Sequence, residues 1–212
     1  MLACHARVAI AGLLLSAGCT TAEDEFNAFR ERYEPLYPPI VVEGCSGDPC
    51  TPPTPPEADG QYLFTLSAAL GPTTPVLLDA QVTYDAAGLS MTTQALRADD
   101  RTTKIGDVVM LGPFTVAPDG CFQADFPPLN VPGEANPITG NPITADVTLI
   151  GRLCSMTTPP GFFCGDITGA VTAPANIDLG GSTFTFEKTA MPDMYPNPPK
   201  INCNQDPADP PM

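Results

Sequence analysis

Asp125, Glu134, Asp146 and Asp166 are the residues of this chain whose chemistry could work without histidine. Two facing carboxyl groups can cleave a glycosidic bond, one as acid and one as base or nucleophile, at separations of about 5–10 Å. No local motif joins the four, and the chain has no tryptophan to stack on a sugar. Asp99, Asp100, Asp107 and Asp119 sit in or near turn-forming stretches and could offer oxygen ligands to calcium. A D-x-[DN]-x-[DN]-G loop closed by a bidentate Glu is missing, so solvated turn aspartates are the commoner reading. Met191 and Met194 in "MPDMYP" carry thioethers, soft ligands that suit copper(I), but no histidine or cysteine stands beside them. The glycines of "GFFCGDITGAV" are followed by no lysine, so no phosphate cradle is read there. No catalytic residue and no cofactor are assigned.

Histidine is almost absent. The only one, His5, lies in a segment with the layout of a secretory signal. Arg7 gives that segment its positive charge. Val8 to Leu15 is apolar but too short to span a bilayer as a helix. Small residues then lead into a cysteine. Without residues 1–18 there is no histidine for a Ser-His-Asp or Cys-His nucleophile or for a zinc site.

The stretch Leu15-Ser16-Ala17-Gly18-Cys19 resembles the lipobox of bacterial lipoproteins, with Ser16 where leucine is more usual. The resemblance covers about 20 residues. It implies that Cys19 is diacylated on sulfur, freed from residues 1–18 and N-acylated, and several acyl chains anchor a protein stably where one does so only marginally. Thr20, in place of an aspartate, leans towards the outer membrane. The acidic run Glu23-Asp24-Glu25 leaves the periplasmic and surface faces both open. The expected location is the bacterial cell envelope, with the membrane as a partner through the N-terminal lipid.

Six further cysteines, Cys45, Cys50, Cys121, Cys154, Cys164 and Cys203, are an even number in an oxidising compartment and read as three disulfides. Fifteen pairings are open. The expected set is Cys45–Cys50 across the "CSGDPC" loop, Cys154–Cys164 between two strands, and Cys121–Cys203 tying down the C-terminal tail.

Without Arg7, eight basic residues face 24 acidic ones, a net charge of −16. Such a surface repels nucleic acid and anionic headgroups.

The elements around these residues divide the chain. After the signal (1–18) comes a tether (19–59). Its "TAEDEFNAFRERYE" (21–34) has a capping-box spacing from Thr21 to Asp24 and an apolar face of Phe26, Phe29 and Tyr33, a short helix that Pro35 ends. Eight prolines between residues 35 and 56 favour an extended polyproline spacer, up to ~70 Å long at ~3.1 Å per residue.

The body (60–190) is rich in Thr, Val, Phe and Ile and keeps no helical apolar period. Eight strands are expected at 62–70, 76–85, 89–98, 107–117, 121–131, 143–154, 162–173 and 182–188. Turn signals such as Asp85-Ala86-Ala87-Gly88 and Pro118-Asp119-Gly120 separate them. Leu89, Met91, Thr93 and Ala95 alternate, as do Phe122, Ala124 and Phe126. Pro127-Pro128 should end its strand or hold it at an edge. The fold class is all-β, an antiparallel sandwich of about eight strands, with an up-and-down barrel as the alternative. "NPITGNPIT" (136–144) is a repeated turn unit whose Ile138 and Ile143 are expected to face the core. The tail (191–212) holds seven prolines, and Cys203 is its one expected fixed point.

The expected protein is a lipid-anchored β-domain that binds an envelope protein or ligand, or scaffolds, and is not an enzyme. A lipocalin-like carrier of an apolar ligand and a carboxylate hydrolase are the alternatives. If the acyl chains on Cys19 hold the protein at the bilayer, Cys19→Ser should leave the membrane fraction and retain its signal, checked by fractionation and intact mass.

Overall fold

The computed structural model describes residues 45, 48–155, 157 and 161–210. Cys19, the expected 21–34 helix and the spacer up to residue 44 lie outside them. The body is antiparallel β throughout: β1 (Gly60–Ser67), β2 (Val76–Asp85), β3 (Gly88–Leu96), β4 (Lys104–Phe114), β5 (Cys121–Asp125), β6 (Leu129–Val131), β7 (Ile143–Arg152), β8 (Phe162–Ala173), β9 (Ile177–Asp178) and β10 (Ser182–Lys188). Eight of these form one ladder in the order β4-β3-β2-β1-β10-β8-β7-β5. β6 pairs with β7 and β9 with β8. The sheet curls into a half-barrel around its concave face. It combines features of both expected arrangements: one continuous ladder, as in a barrel, whose end strands β4 and β5 form no ladder with each other and meet only in the isolated Val116–Phe122 bridge.

Local chemistry sets the strand ends. Pro127-Pro128 falls in the gap between β5 and β6, because proline donates nothing to a ladder. The β2–β3 hairpin closes through Asp85, whose carboxylate accepts from the Ala87 N–H at 2.8 Å. Gly88 follows with φ +127°, and a Cβ there would strike the Phe114 carbonyl. Gly120 donates to the Ala117 carbonyl at 2.9 Å and closes the turn before β5.

Alternation carries the core. Leu89, Met91, Thr93 and Ala95 are buried on one face of β3, as are Phe122, Ala124 and Phe126 on and just after β5. At the centre, Phe64 of β1, Phe186 of β10 and Phe163 of β8 occupy consecutive cross-strand positions. Their rings stack at centroid distances of 4.2 and 4.4 Å, with planes 8° apart in each pair. Tyr62, Phe122 and Phe184 pack edge-on around this column. Removing one such ring costs about 3–5 kcal/mol. Tyr62 lies fully buried and donates its hydroxyl to the Ala58 carbonyl at 2.8 Å; burial pushes its phenol above its ordinary range.

All six cysteines are bridged, but not in the expected pairs. The disulfides are Cys45–Cys121, Cys50–Cys154 and Cys164–Cys203. Register explains the correction. Arg152 lies opposite Cys121 on one side and Cys164 on the other, so β5, β7 and β8 come to one end together. The segment around residues 45–51 lies against that end: Cys50 N–H donates to the Asp119 carbonyl at 3.0 Å and Ser155 N–H to the Thr51 carbonyl at 2.9 Å. Cys45 and Cys50 are drawn to the body instead of to each other. Cys164, next to inward-facing Phe163, alternates to the outer face, where the tail runs.

Residues 48–59, expected in the tether, thus join the body. Pro53 and Ala58 are buried, and the Asp59 carboxylate accepts from the Tyr84 N–H at 2.8 Å.

The tail is also held at far more than Cys203. Thr183 and Thr185 hydroxyls donate to the Ile201 and Lys200 carbonyls at 2.6 and 2.7 Å, and Lys200 N–H donates to the Glu187 carboxylate at 2.6 Å. These three side chains alternate along the outer face of β10; under the tail Thr185 and Glu187 are buried and Thr183 is half-buried. Desolvation there raises the Glu187 carboxyl above its ordinary value. Further along the sheet, Tyr195 packs on Leu63, Leu77 and Leu96 and donates its hydroxyl to Asp79 at 3.0 Å. Lys104 joins the same network, 3.0 Å from Asp79 and 2.9 Å from Asp193.

Digestion without reduction should release peptides linked as Cys45–Cys121, Cys50–Cys154 and Cys164–Cys203. Because the second bridge spans 104 residues, Cys50→Ala/Cys154→Ala should lose about 2–5 kcal/mol in denaturant unfolding.

Candidate functional site

The concave face is graded along the strands. Towards the cystine end it carries Tyr62, Phe122, Phe163 and Phe186, which fill it. Towards the other end the same face presents Leu66 of β1, Val76 of β2, Ala145 and Val147 of β7, and Ile167 and Val171 of β8. These smaller side chains do not reach across, and a cavity of about 290 Å³ remains. The residues responsible lie at the end of β1, the start of β2, the first half of β7 and the second half of β8. Leu129 and Val131 of β6 complete the wall.

Three connections form the rim: residues 68–70 after β1, 136–141 before β7, and 174–179 around β9. Asn136 organises the second of these. Its side-chain N–H groups donate to the Thr139 hydroxyl at 2.7 Å and the Asn141 carbonyl at 2.8 Å, and its oxygen accepts from the Ile138 N–H at 3.1 Å. Buried polar groups need such partners, and here the loop supplies them internally, leaving the cavity wall apolar. Leu70 and Ile138 stand at the mouth, 71% and 42% exposed. Ile143 packs on the core as expected, whereas Ile138 leans over the cavity beside Gly71. An apolar space of this size, open at its mouth, falls at the lower end of small-molecule sites, ~300–1,000 Å³.

No protein-family model, curated protein or solved structure matches this chain.

The sequence-derived carboxylates do not converge on this cavity. Asp125, Asp146 and Asp166 alternate with buried neighbours and lie on the outer face of β5, β7 and β8. Asp125 accepts from the Thr148 hydroxyl at 2.8 Å, and register makes it a diagonal neighbour of Asp146, with both exposed. Glu134 sits apart from them in the 3-10 turn after β6, beside Arg97 and Arg101 in a second, polar pocket.

The calcium candidates are likewise spread over separate places. Asp99 pairs with Arg97 at 2.6 Å, Asp119 pairs with Arg152 at 2.9 Å, and Asp107 is exposed on β4. Asp100 accepts from the Thr103 hydroxyl at 2.6 Å and from the Thr102 and Thr103 N–H groups at 2.9 Å each. Among the described residues no three acidic, histidine or cysteine side chains gather to hold a metal. Met191 and Met194 are exposed on one turn of the tail, whose Met194 N–H donates to the Met191 carbonyl.

Composition alone does not reveal the cavity, since its walls look like ordinary core strand positions. Only β8 carries a local sign of it, with Phe163 on its inner face at one end and Ile167 and Val171 at the other.

The Asp100 turn yields a pH prediction. The Thr103 hydroxyl, followed by the two N–H groups, holds the Asp100 carboxyl at about 2. A carboxyl depressed on folding stabilises the protein above its unfolded value and loses that contribution as pH falls through the folded one. The stability gap between wild type and Asp100→Asn should be full at pH 6 and close between pH 4 and 2, measured by urea unfolding across that range.

Proposed function

We propose that the protein is a non-catalytic binder of a small apolar ligand, held in the bacterial envelope by acyl chains on Cys19. The cavity at the wide end of the half-barrel carries this reading. It is walled by aliphatic side chains, its rim residues satisfy one another's hydrogen bonds, and its mouth exposes Leu70 and Ile138. Burying an apolar ligand there gains roughly 25 cal/mol for each Å² removed from water.

A second reading, binding of an envelope protein or scaffolding, draws on β4. This strand ends the ladder and exposes Val108 and Met110 on its surface, at 58% and 78%. A terminal strand offers unpaired backbone groups to an incoming chain. The hydrolase reading has only the exposed Asp125–Asp146 diagonal behind it.

The uncharged probe N-phenyl-1-naphthylamine should gain fluorescence on binding the domain. Ala145→Phe, which projects a ring into the cavity, should reduce that gain at least tenfold, as should Val171→Phe from the adjacent strand, directly opposite Ala145 in the ladder. Circular dichroism would verify that each variant keeps its sheet. A probe that binds all three proteins alike, or none, would remove the cavity from consideration and leave the β4 reading.

A further inference from the structure

The mouth of the cavity is built unlike the rest of the surface, and we propose that it docks on the uncharged interface of a lipid bilayer, so that an apolar ligand passes between bilayer and cavity without crossing water. The proposal rests on the cavity being a ligand site. The three loops around the opening, residues 68–75, 136–142 and 174–177, contain no charged side chain, in a chain with nine basic and 24 acidic residues. The carboxylate that follows them, Asp178, lies opposite Ala170, which is itself opposite Asp146, so it stays with Asp146 on the outer face. Leu70 and Ile138 are exposed on two of these loops, and Ile138 lies against Gly71. Exposed Ala69, Pro174 and Ala175 stand around the same opening.

Single exposed apolar side chains are ordinary; the backbone is what sets this end apart. A loop that enters a lipid interface must not carry bare N–H and C=O groups out of water. Pro72, Pro75, Pro137, Pro142 and Pro174 have no N–H to satisfy. The remaining groups pair within the loops. Gly71 N–H donates to the Ala68 carbonyl at 3.0 Å, Thr74 N–H to the Gly71 carbonyl at 3.1 Å and Gly140 N–H to the Asn136 carbonyl at 3.0 Å. The Ser67 hydroxyl donates to the Pro72 carbonyl at 2.7 Å, and Ala69 N–H donates to the Ser182 hydroxyl at 3.0 Å. The Asn136 amide holds the second loop in the same way. Little is lost when water is withdrawn from such loops. The other exposed apolar pair, Val108 and Met110, lies on β4 with Lys104 and Asp107, where the end of the ladder leaves backbone groups unpaired. The net charge of −15 suits an uncharged lipid face rather than an anionic one. The chain between Cys19 and Cys45 can extend to at most ~90 Å, which leaves an anchored domain room to turn its mouth to the bilayer.

The sequence has no tryptophan, so one introduced at Leu70 is the sole reporter. Leu70→Trp in the full chain, mixed with phosphatidylcholine vesicles, should shift its emission to the blue and be quenched when the lipid carries brominated chains. Met110→Trp on β4 should show neither change. Adding Ile138→Asp to Leu70→Trp should weaken vesicle binding about tenfold, as expected when a buried aliphatic side chain is exchanged for a charge. Replacing part of the phosphatidylcholine by phosphatidylglycerol should weaken it as well. Quenching should persist in the Ala145→Phe background, where the cavity is filled, because docking uses the mouth. Quenching of both reporters alike, or of neither, overturns the proposal. Quenching that vanishes with Ala145→Phe also overturns it, since the lipid chain would then sit inside the cavity with no docked mouth. A blue shift that grows with protein concentration without vesicles would mean that a second copy covers the mouth, and would overturn it too. N-phenyl-1-naphthylamine binding without vesicles reads the cavity separately: binding retained while docking fails rejects the docking alone.

Discussion

Three phenyl rings stacked across three strands hold this fold together. Phe64, Phe186 and Phe163 are in register on β1, β10 and β8, so every backbone hydrogen bond in that part of the ladder also aligns the rings. Stacked and edge-on aromatic contacts add roughly 0.5–1.5 kcal/mol each beyond the area they bury. The consequence is geometric as much as energetic. A register slip of one residue would turn all three rings to the outer face, where Cys164, Thr185 and Thr65 now lie beneath the tail. The close approach of β7 to β8 depends on the same cluster. Gly151 and Gly165 face each other in the ladder, and a Cβ on either would run into the Phe184 ring.

The aromatic cluster and the disulfides gather towards the same end, and this concentration makes the cavity affordable. Cys45–Cys121 and Cys50–Cys154 anchor the incoming segment beside β5 and β7, and Cys164–Cys203 clamps the tail to β8. The other end is closed only by turns, by the Asn136 loop and by β9. An unfilled apolar space forfeits dispersion contacts and weakens a core. A small domain tolerates that more readily where covalent bridges have already limited the freedom of the unfolded chain.

Much of this was legible in the residues, for identifiable reasons. Strand positions followed from β-branched and aromatic runs broken by Asp-Ala-Ala-Gly, Pro-Asp-Gly and Pro-Pro, because proline and glycine act locally. Inner faces followed from period-two alternation. What eluded the sequence depended on contacts between distant segments. Thr183, Thr185 and Glu187 alternate as a solvent-facing set would, yet the tail covers them, and a proline-rich stretch without periodicity gives no sign that it will dock. Cystine pairing failed for the same reason: the short loop between Cys45 and Cys50 suggested a local bridge, while the partners were chosen by where β5, β7 and β8 end. The cavity is subtler still. Each of Ala145, Val147 and Val171 is an unremarkable core residue, and only the curl of the sheet lines them up around one space.

The positions of entry and mouth constrain how an anchored form would work. The described chain reaches the domain through Cys45 and Cys50, which are bonded to the ends of β5 and β7, whereas the cavity wall begins near Ile143, at the opposite end of β7. β7 is ten residues long, about 33 Å at the usual rise. A tether pulling on Cys45 would load the cystine end, where covalent bonds and the aromatic column resist it, and would leave the Leu70–Ile138 mouth unstrained. Among the described residues, the chain first meets the body at Cys45, at the end of β7 that lies far from the cavity wall.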